Sequence, residues 1–325
     1  MAFQEKIIDF DGSDDYVTMG NVLGFEYSDP FSLSCWVKTD ATSGYLISKR
    51  LGLPNYTGYG LTLAPSGGFE FSICNTLSTA EVLVRSVVSI ADRAWHHITG
   101  TYDGSGTASG ITLYVDGVAV STTTESDTLS SSSIINSASL NIGARTNSSI
   151  FLDGKVGEVA VYDKELSSVE VNWMYNGGLP RDLAGGGAPS NLVGWWRMGN
   201  GDTYPTLTDN SVNSNNGTMT NMSSGDIETY WIGGYPAFYA PSTGTATSDE
   251  SVFDGFISVT GAGAIVTTRH KMRAVDDGAP PPGFVVWTVT GVEPDFAGVY
   301  FSTGTPTPIG SMVPGSAVEL ASWDE

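Results

Sequence analysis

From its start to about residue 163 the chain alternates apolar and polar positions in short runs: FSLSCWVKT, YGLTLAPSGGFEFSI, WHHITGTYDG, ITLYVDGVAV, SLNIGA and GEVAVYD. Successive side chains of a strand point to opposite faces, so this alternation predicts strands with one face against a core. Turn chemistry separates the runs. PSGG at Pro65 to Gly68 marks one reversal. Asp116-Gly117, flanked by Leu113, Val115, Val118 and Val120, suits a two-residue hairpin. Many short strands punctuated in this way predict an all-β sandwich.

One segment switches to helical spacing. In KELSSVEVNWMYNGG, Ser167 followed by Glu170 forms a capping-box pattern, and Val171, Met174 and Tyr175 fall at i, i+3 and i+4. Asn176-Gly177-Gly178 supplies the stop. A short amphipathic helix lying on the sandwich is predicted.

Beyond it the pattern changes again. LAGGGAPS, residues 183–190, reads as a Gly-rich linker in which nothing packs. NLVGWWRMGNGD and TLTDNSVNSNNGTMTNM then predict a strand and a polar hairpin, so residues 191–244 complete or flank the sandwich of residues 1–182. A second low-complexity stretch, at Pro241 to Glu250, leads into a smaller β-rich C-terminal unit, residues 245–325, with strand patterns GFISVTG, AGAIVTT, GFVVWTVTGV and GVYFSTG. No internal repeat is visible.

Composition narrows the function classes. Of 325 residues 40% are hydrophobic, enough to fill real cores, and only 15% are charged against roughly 25% in an average domain. The surface is therefore built from hydroxyls and backbone. A net charge of −21 excludes sequence-independent nucleic-acid binding, which needs Lys and Arg against phosphates, and disfavours anionic membranes. No run approaches the roughly 18 apolar residues of a membrane span. MAFQEKIIDFDG lacks the apolar core of a secretion signal, so the expectation is a chain made and kept in the cytosol unless released by lysis. Cys35 and Cys74 both lie in strand-like segments and read as buried free thiols.

The densest chemistry is FDGSDDYVTMG, where Asp11, Asp14 and Asp15, with Asp9 just before the stretch, crowd one turn. Asp stabilises turns by bonding nearby backbone N–H groups, which accounts for one or two of them. Calcium takes six to eight hard oxygens and is a second reading. Paired carboxylates for glycoside hydrolysis are a third. Against an enzyme, His96 and His97 are adjacent on a strand and point to opposite faces, and no G-x-S-x-G, phosphate loop or C-x-x-C is present. Most of the 8 Trp and 14 Tyr read as core, whereas Tyr56 and Tyr59 in LPNYTGYG are candidates for stacking on sugar rings. Arg269, Lys271 and Arg273 are the only basic residues after position 244, against ten Asp and Glu. They read as a charged strand edge or as a patch docking on an acidic partner.

In order along residues 5–180, FDGSDDYV, FSLSCWVKT, WHHITGTYDG, LYVDGVAV, LNIGA and FLDGKVGEVAVYDKELSSVEVNWMYNGG resemble the laminin G-like domain of the concanavalin A-like lectin and glucanase superfamily. The resemblance implies a jelly-roll sandwich of two antiparallel sheets. NLVGWWRMGNGD with TDNSVNSNNGTMTN is similar to a strand and hairpin that usually precede the first motif in this family, and here it follows the helix. It reads either as completing the same sandwich, the favoured reading, or as the stub of a second copy. By resemblance, Asp11 and Asp15 are side-chain calcium ligands and Glu158 approaches from a second segment, although the family's usual acidic residue is replaced by Gly157. The superfamily's glucanases carry E-x-D-x-x-E along one strand, which this sequence lacks, so the chain is read as a non-enzyme.

The whole arrangement resembles laminin G-like virion proteins of tailed bacteriophages. That implies a head-decoration or fibre protein, or a tail protein, with other virion proteins and a host surface glycan as partners and with homo-oligomeric assembly. A bacterial surface adhesin with a carbohydrate-binding module and a glycoside hydrolase are the rival classes. Residues 245–325, including an apolar strand at Phe284 to Val292, are expected to carry the assembly contacts, with Arg269, Lys271 and Arg273 at their rim.

Overall fold

The alternating runs pair into two antiparallel sheets. The computed structural model describes residues 6–146, 150–229, 253–261 and 264–272. In chain order the first strands are β1 (Lys6–Asp11), β2 (Tyr16–Thr18), β3 (Phe31–Lys38), β4 (Tyr45–Arg50), β5 (Gly58–Leu63), β6 (Phe69–Thr76) and β7 (Ala80–Ser86). They continue with β8 (His96–Tyr102), β9 (Ile111–Val115), β10 (Val118–Ala119), β11 (Thr122–Asp127), β12 (Asn141–Gly143) and β13 (Asp153–Tyr162). After the helix α1 (Ser168–Tyr175) come β14 (Leu192–Trp196), β15 (Thr206–Leu207), β16 (Gly217–Thr220) and β17 (Ile227–Thr229). One sheet has eight strands in the order β10-β9-β8-β3-β13-β1-β17, with β14 also paired to β13. The other has nine, in the order β11-β7-β6-β5-β4-β12-β2-β16-β15.

Alternation decides which residues meet between the sheets. Phe31, Leu33, Cys35 and Val37 of β3 face Tyr59, Leu61 and Leu63 of β5 and Phe69, Phe71 and Ile73 of β6 in one apolar core. Burying that much hydrocarbon is the main force holding the sandwich. Both cysteines are buried free thiols. Asp116 and Gly117 take φ of +51° and +78° between β9 and β10, the left-handed pair that a two-residue hairpin with strand-matching twist requires.

The outer face of the eight-stranded sheet is also covered. In β3 Ser32 and Ser34 point out, yet both are buried. Ser32 Oγ donates to Lys164 O and accepts from Leu166 N, tying the strand to the chain that enters α1. The capping box forms, with Glu170 N donating to Ser167 Oγ and Ser167 N to Glu170 Oε2. Asn176 ends the helix at φ +51°. Val171 and Met174 pack with Tyr114, Tyr162, Leu166 and Trp195 in a second apolar layer, and Tyr175 stacks on Trp36.

Residues 191–229 enter both sheets: β14 pairs with β13, β17 with β1, and β16 with β2. Trp196 is in the main core. The segment 183–190 is not the packing-free linker that its composition predicts. Leu183 is 5% exposed within the layer under α1, because an aliphatic side chain beside an apolar layer is drawn in whatever glycines follow it.

The described part of the C-terminal unit is a hairpin of β18 (Phe253–Gly261) and β19 (Ala264–Met272). Arg269 is registered opposite Phe256 and Lys271 opposite Asp254. Arg273 and the Phe284 to Val292 segment lie outside the described residues. Among those residues no helix is long and apolar enough to cross a membrane.

Candidate binding site

The outer face of the nine-stranded sheet is polar. In β5 the inward positions are Tyr59, Leu61 and Leu63, which leaves Gly58, Gly60 and Thr62 outward. A Cβ on Gly58 would stand 1.9 Å from Lys49 O, so no larger residue fits this close strand approach. Outward residues of the neighbouring strands are Arg50 on β4, Glu70 and Ser72 on β6, and Glu81 and Arg85 on β7. Of these, Arg50, Glu70 and Glu81 line a groove of about 340 Å³ together with Tyr45, Tyr56, Thr62, Leu77, Leu83 and Ile150.

The groove is held by a polar lattice. Arg50 donates from Nε to Tyr56 O at 3.1 Å, from Nη1 to Ser72 Oγ at 2.8 Å and from Nη2 to Glu81 Oε1 at 3.4 Å. The side chains of Arg50 and Glu81 are only 8% and 6% exposed, so each neutralises a charge that burial would otherwise make costly. Arg85 bonds Glu70 at 2.6 Å and Glu125 at 3.2 Å. Arg145 donates from Nε to Tyr45 OH at 3.1 Å and lies 4.6 Å from the Tyr56 ring centre and 5.5 Å from that of Tyr45. Tyr56 itself has φ +60°, held by Tyr56 N bonding Gly52 O and by the Arg50 bond to its carbonyl.

Tyr56 is thus placed at the groove, half-buried, and Tyr59 is not. Strand β5 begins at Gly58, which puts Tyr59 one residue on at an inward position. It is 1% exposed and its hydroxyl donates to Leu23 O at 2.6 Å. It is a core residue and not a sugar-stacking one. Arg50, Glu81, Tyr45 and Arg145 were not foreshadowed by any local motif, since each is a single residue on a separate segment.

The acidic turn brings Asp11, Asp14 and Asp15 together, with carboxylate oxygens within 4.8 Å of one another. Two of them serve the turn as well: Ser13 N and Asp14 N donate to Asp11 Oδ1, and Asp11 N donates to Asp15 Oδ2. Burial, with the neighbouring charges of Asp11, Asp226 and Asp14, pushes the Asp15 carboxyl up to about 6. Three converging carboxylates are hard-oxygen donors of the kind a calcium ion takes, three of the six to eight oxygens it needs. Glu158 does not join them. It sits at φ +46° in the bulge of β13 between the Gly157–Trp36 and Ala160–Ser34 pairs, where β1 gives way to β14 as neighbour. There its carboxylate accepts from Trp195 Nε1 at 2.5 Å and Arg197 Nε at 3.3 Å, so a bulge has turned it away from the calcium position expected of it.

The two glutamates of the groove do not form an acid–base pair. Glu70 and Glu81 share the groove, but the β6–β7 register sets them four residues apart, about 13 Å along the strands at roughly 3.3 Å per residue, beyond the 6.5–9.5 Å of an inverting pair. Each is also occupied by its own arginine. His96 bonds Asp116 and Asp92, whereas His97 on the opposite side is buried against Ser34 Oγ at 2.9 Å. Burial pushes both cysteine thiols up, away from nucleophilic thiolate.

Residues 11–172 match a family model described as the concanavalin A-like lectin/glucanases superfamily, in its laminin G-type form. Those residues form a laminin G-like domain. No curated protein matches the chain in sequence. Among solved structures, a candidate carbohydrate binding protein from Bacteroides ovatus is similar at 17% identity and a TM-score of 0.50, over 70% of this chain and 60% of its own. The present chain therefore spans less than two thirds of that relative. A heptameric SAP-like pentraxin from Limulus polyphemus is similar at 13% identity and a TM-score of 0.42, over 54% of this chain and 83% of its own. Domains LG4-5 of the mouse laminin α1 chain are similar at 17% identity and a TM-score of 0.38, over 49% of this chain and 42% of theirs.

Proposed function

We propose that the laminin G-like domain binds carbohydrate in the groove on the outer face of its nine-stranded sheet and acts there as a non-enzymatic adhesion module. One observation carries this reading: two tyrosine rings, Tyr45 and Tyr56, stand beside a floor of arginine and carboxylate groups fixed by mutual bonds. Flat apolar faces and pre-aimed polar groups are what a pyranose ring, with its C–H face and equatorial hydroxyls, requires. Isothermal titration against a panel of polysaccharides tests it, and loss of the heat on Tyr56→Ala ties it to this groove. Release of reducing sugar from any member of the panel would replace adhesion by hydrolysis.

The setting we propose is the virion of a tailed bacteriophage, with the host surface glycan as target. Its support is the resemblance of the ordered motifs, together with a hydroxyl-rich surface and a net charge of −21. In this reading residues 245–325 attach the domain to neighbouring virion subunits or to further copies of the chain, with Arg269, Lys271 and Arg273 at the contact, and a calcium ion at Asp11, Asp14 and Asp15 stiffens the first turn. Mass spectrometry of purified particles checks the setting. A chain that never co-purifies with a particle removes it while leaving the glycan reading in place.

A further inference from the structure

The groove's charges are arranged unevenly in a way that selects among glycans. Its cations are already engaged. All three Arg50 nitrogens donate to protein acceptors. Arg85 is bridged between two carboxylates, Glu70 and Glu125. Arg145 spends Nε on Tyr45 and Nη1 on Leu51 O and Thr146 O, with its plane against two aromatic rings. The carboxylates are only half engaged. Glu81 meets Arg50 through Oε1, and Glu70 meets Arg85 through Oε1. Among the described residues, Oε2 of each carries no hydrogen bond.

Arg50 and Arg85 are paired with Glu81, Glu70 and Glu125, and Arg145 is the third cation, so the cluster adds no net positive charge to a chain of net −21. What remains for a ligand is a pair of carboxylate oxygens that can only accept, about 13 Å apart along the strands at roughly 3.3 Å per residue, with tyrosine faces beside them. A ligand that satisfies them must donate. A ligand that brings its own carboxylate, sulfate or phosphate meets the charge of these carboxylates, while Arg50 and Arg85 are already paired and Arg145 is held to Tyr45 and to two carbonyls.

We propose that the groove selects neutral, hydroxyl-rich glycans longer than one sugar ring and rejects anionic ones, with Glu70 and Glu81 accepting sugar hydroxyls through Oε2. This rests on the glycan reading above and adds the class of glycan to it. Charge-assisted hydrogen bonds to hydroxyls are strong and short-ranged, so such binding is nearly independent of salt.

Affinity electrophoresis of the full chain in gels containing dextran, mannan, hyaluronate or polysialic acid tests this. Retardation is expected with at least one neutral polymer and with neither anionic one, and it persists from about 0.05 M to about 0.5 M salt. Glu70→Gln keeps the side chain's shape and leaves Arg85 paired to Glu125, so it folds and weakens the neutral complex roughly fivefold, because an amide oxygen still accepts and only the charge assistance is lost. Glu81→Gln, checked for folding by its thermal melt, weakens it similarly. Retardation by hyaluronate or polysialic acid that fades with salt overturns the selection rule while the glycan reading stands. Unchanged affinity in both variants overturns the assigned roles of the two glutamates. No retardation by any polymer overturns the glycan reading and this inference with it.

Discussion

The two sheets start from the same alternation, yet their outer faces end differently. On the eight-stranded sheet, outward Tyr114, Ala160, Tyr162 and Trp195 are roofed by α1 and by Leu183, and even the serines of β3 are buried. On the nine-stranded sheet, outward positions are mostly Gly, Thr, Ser, Arg and Glu, with Leu83 and Cys74 among them, and a groove stays open above. An apolar outer face costs free energy until something covers it, whereas a face of paired charges is stable in water and remains available. The fold is therefore two-sided: one outer face is closed beneath α1 and the other is left open, where the proposed glycan groove lies.

The sharpest way to break that division is to damage the covered side. Trp195→Ala removes a buried aromatic and strips the Glu158 carboxylate of its indole partner. A loss of about 3–5 kcal/mol is expected in urea unfolding. Glycan affinity of the folded fraction should not change. A variant that unfolds normally but no longer binds would show that the roofed face, not the open one, meets the ligand.

Acid probes the same side. His97 is buried and burial pulls its imidazole down to about 4 from 6.5. Its Nε2 meets Ser34 Oγ, and among the described residues Nδ1 has no partner. The folded chain thus binds this proton more weakly than the unfolded chain. Its contribution is fully present above pH 6.5 and is lost as pH falls toward about 4, on the order of 3 kcal/mol. Glu158 works in the opposite sense. Burial outweighs Arg197 and Trp195 and pushes its carboxyl up to about 7, so acid between 7 and 4.5 favours the fold there. Subtracting the stability–pH curve of His97→Asn from that of the parent isolates the histidine. A difference curve that is flat between pH 4 and 6.5 contradicts the assignment.

Much of the covered side was legible in the sequence, because its determinants are local. The capping box at Ser167 and Glu170, the Asp116-Gly117 hairpin and the period-two runs each specify an element from adjacent residues. The open side was not legible in this way. Arg50 and Glu81 come from separate segments and meet only through the β4–β5–β6–β7 register, and Arg145, just after β12, reaches Tyr45 through the β12–β4 pairing. Tyr56 and Tyr59 look alike as a loop pair, and a strand beginning at Gly58 sends one to the groove and the other to the core. Glu158 illustrates the same limit, since one bulge residue in β13 reverses where a carboxylate points.

On the open side, substitutions should separate binding from stability. Tyr56→Ala removes a half-buried loop side chain whose ring contacts Arg145. Its stability cost is expected to stay below about 1 kcal/mol, the worth of a partly exposed cation–π contact. Glycan affinity should fall up to tenfold, about 1.4 kcal/mol, for the loss of an aromatic platform. Equal losses of stability and affinity would make Tyr56 a structural residue.

The smallest expected effect is at the acidic turn, and its sign is more informative than its size. Asp15 carries a charge that burial and three neighbouring aspartates disfavour. Without a cation, Asp15→Asn removes that repulsion while an amide oxygen still accepts from Asp11 N, so the melting temperature should rise. With calcium at Asp11, Asp14 and Asp15, the same substitution deletes a ligand and the melting temperature should fall. A chelator discriminates further: calcium present near its dissociation constant adds only about 0.4 kcal/mol to the folded state, a shift that chelation would erase in the parent and leave absent in the variant. Stabilisation by Asp15→Asn in calcium-containing buffer, with no response of the parent to chelator, would make these aspartates formers of the β1–β2 turn and nothing more.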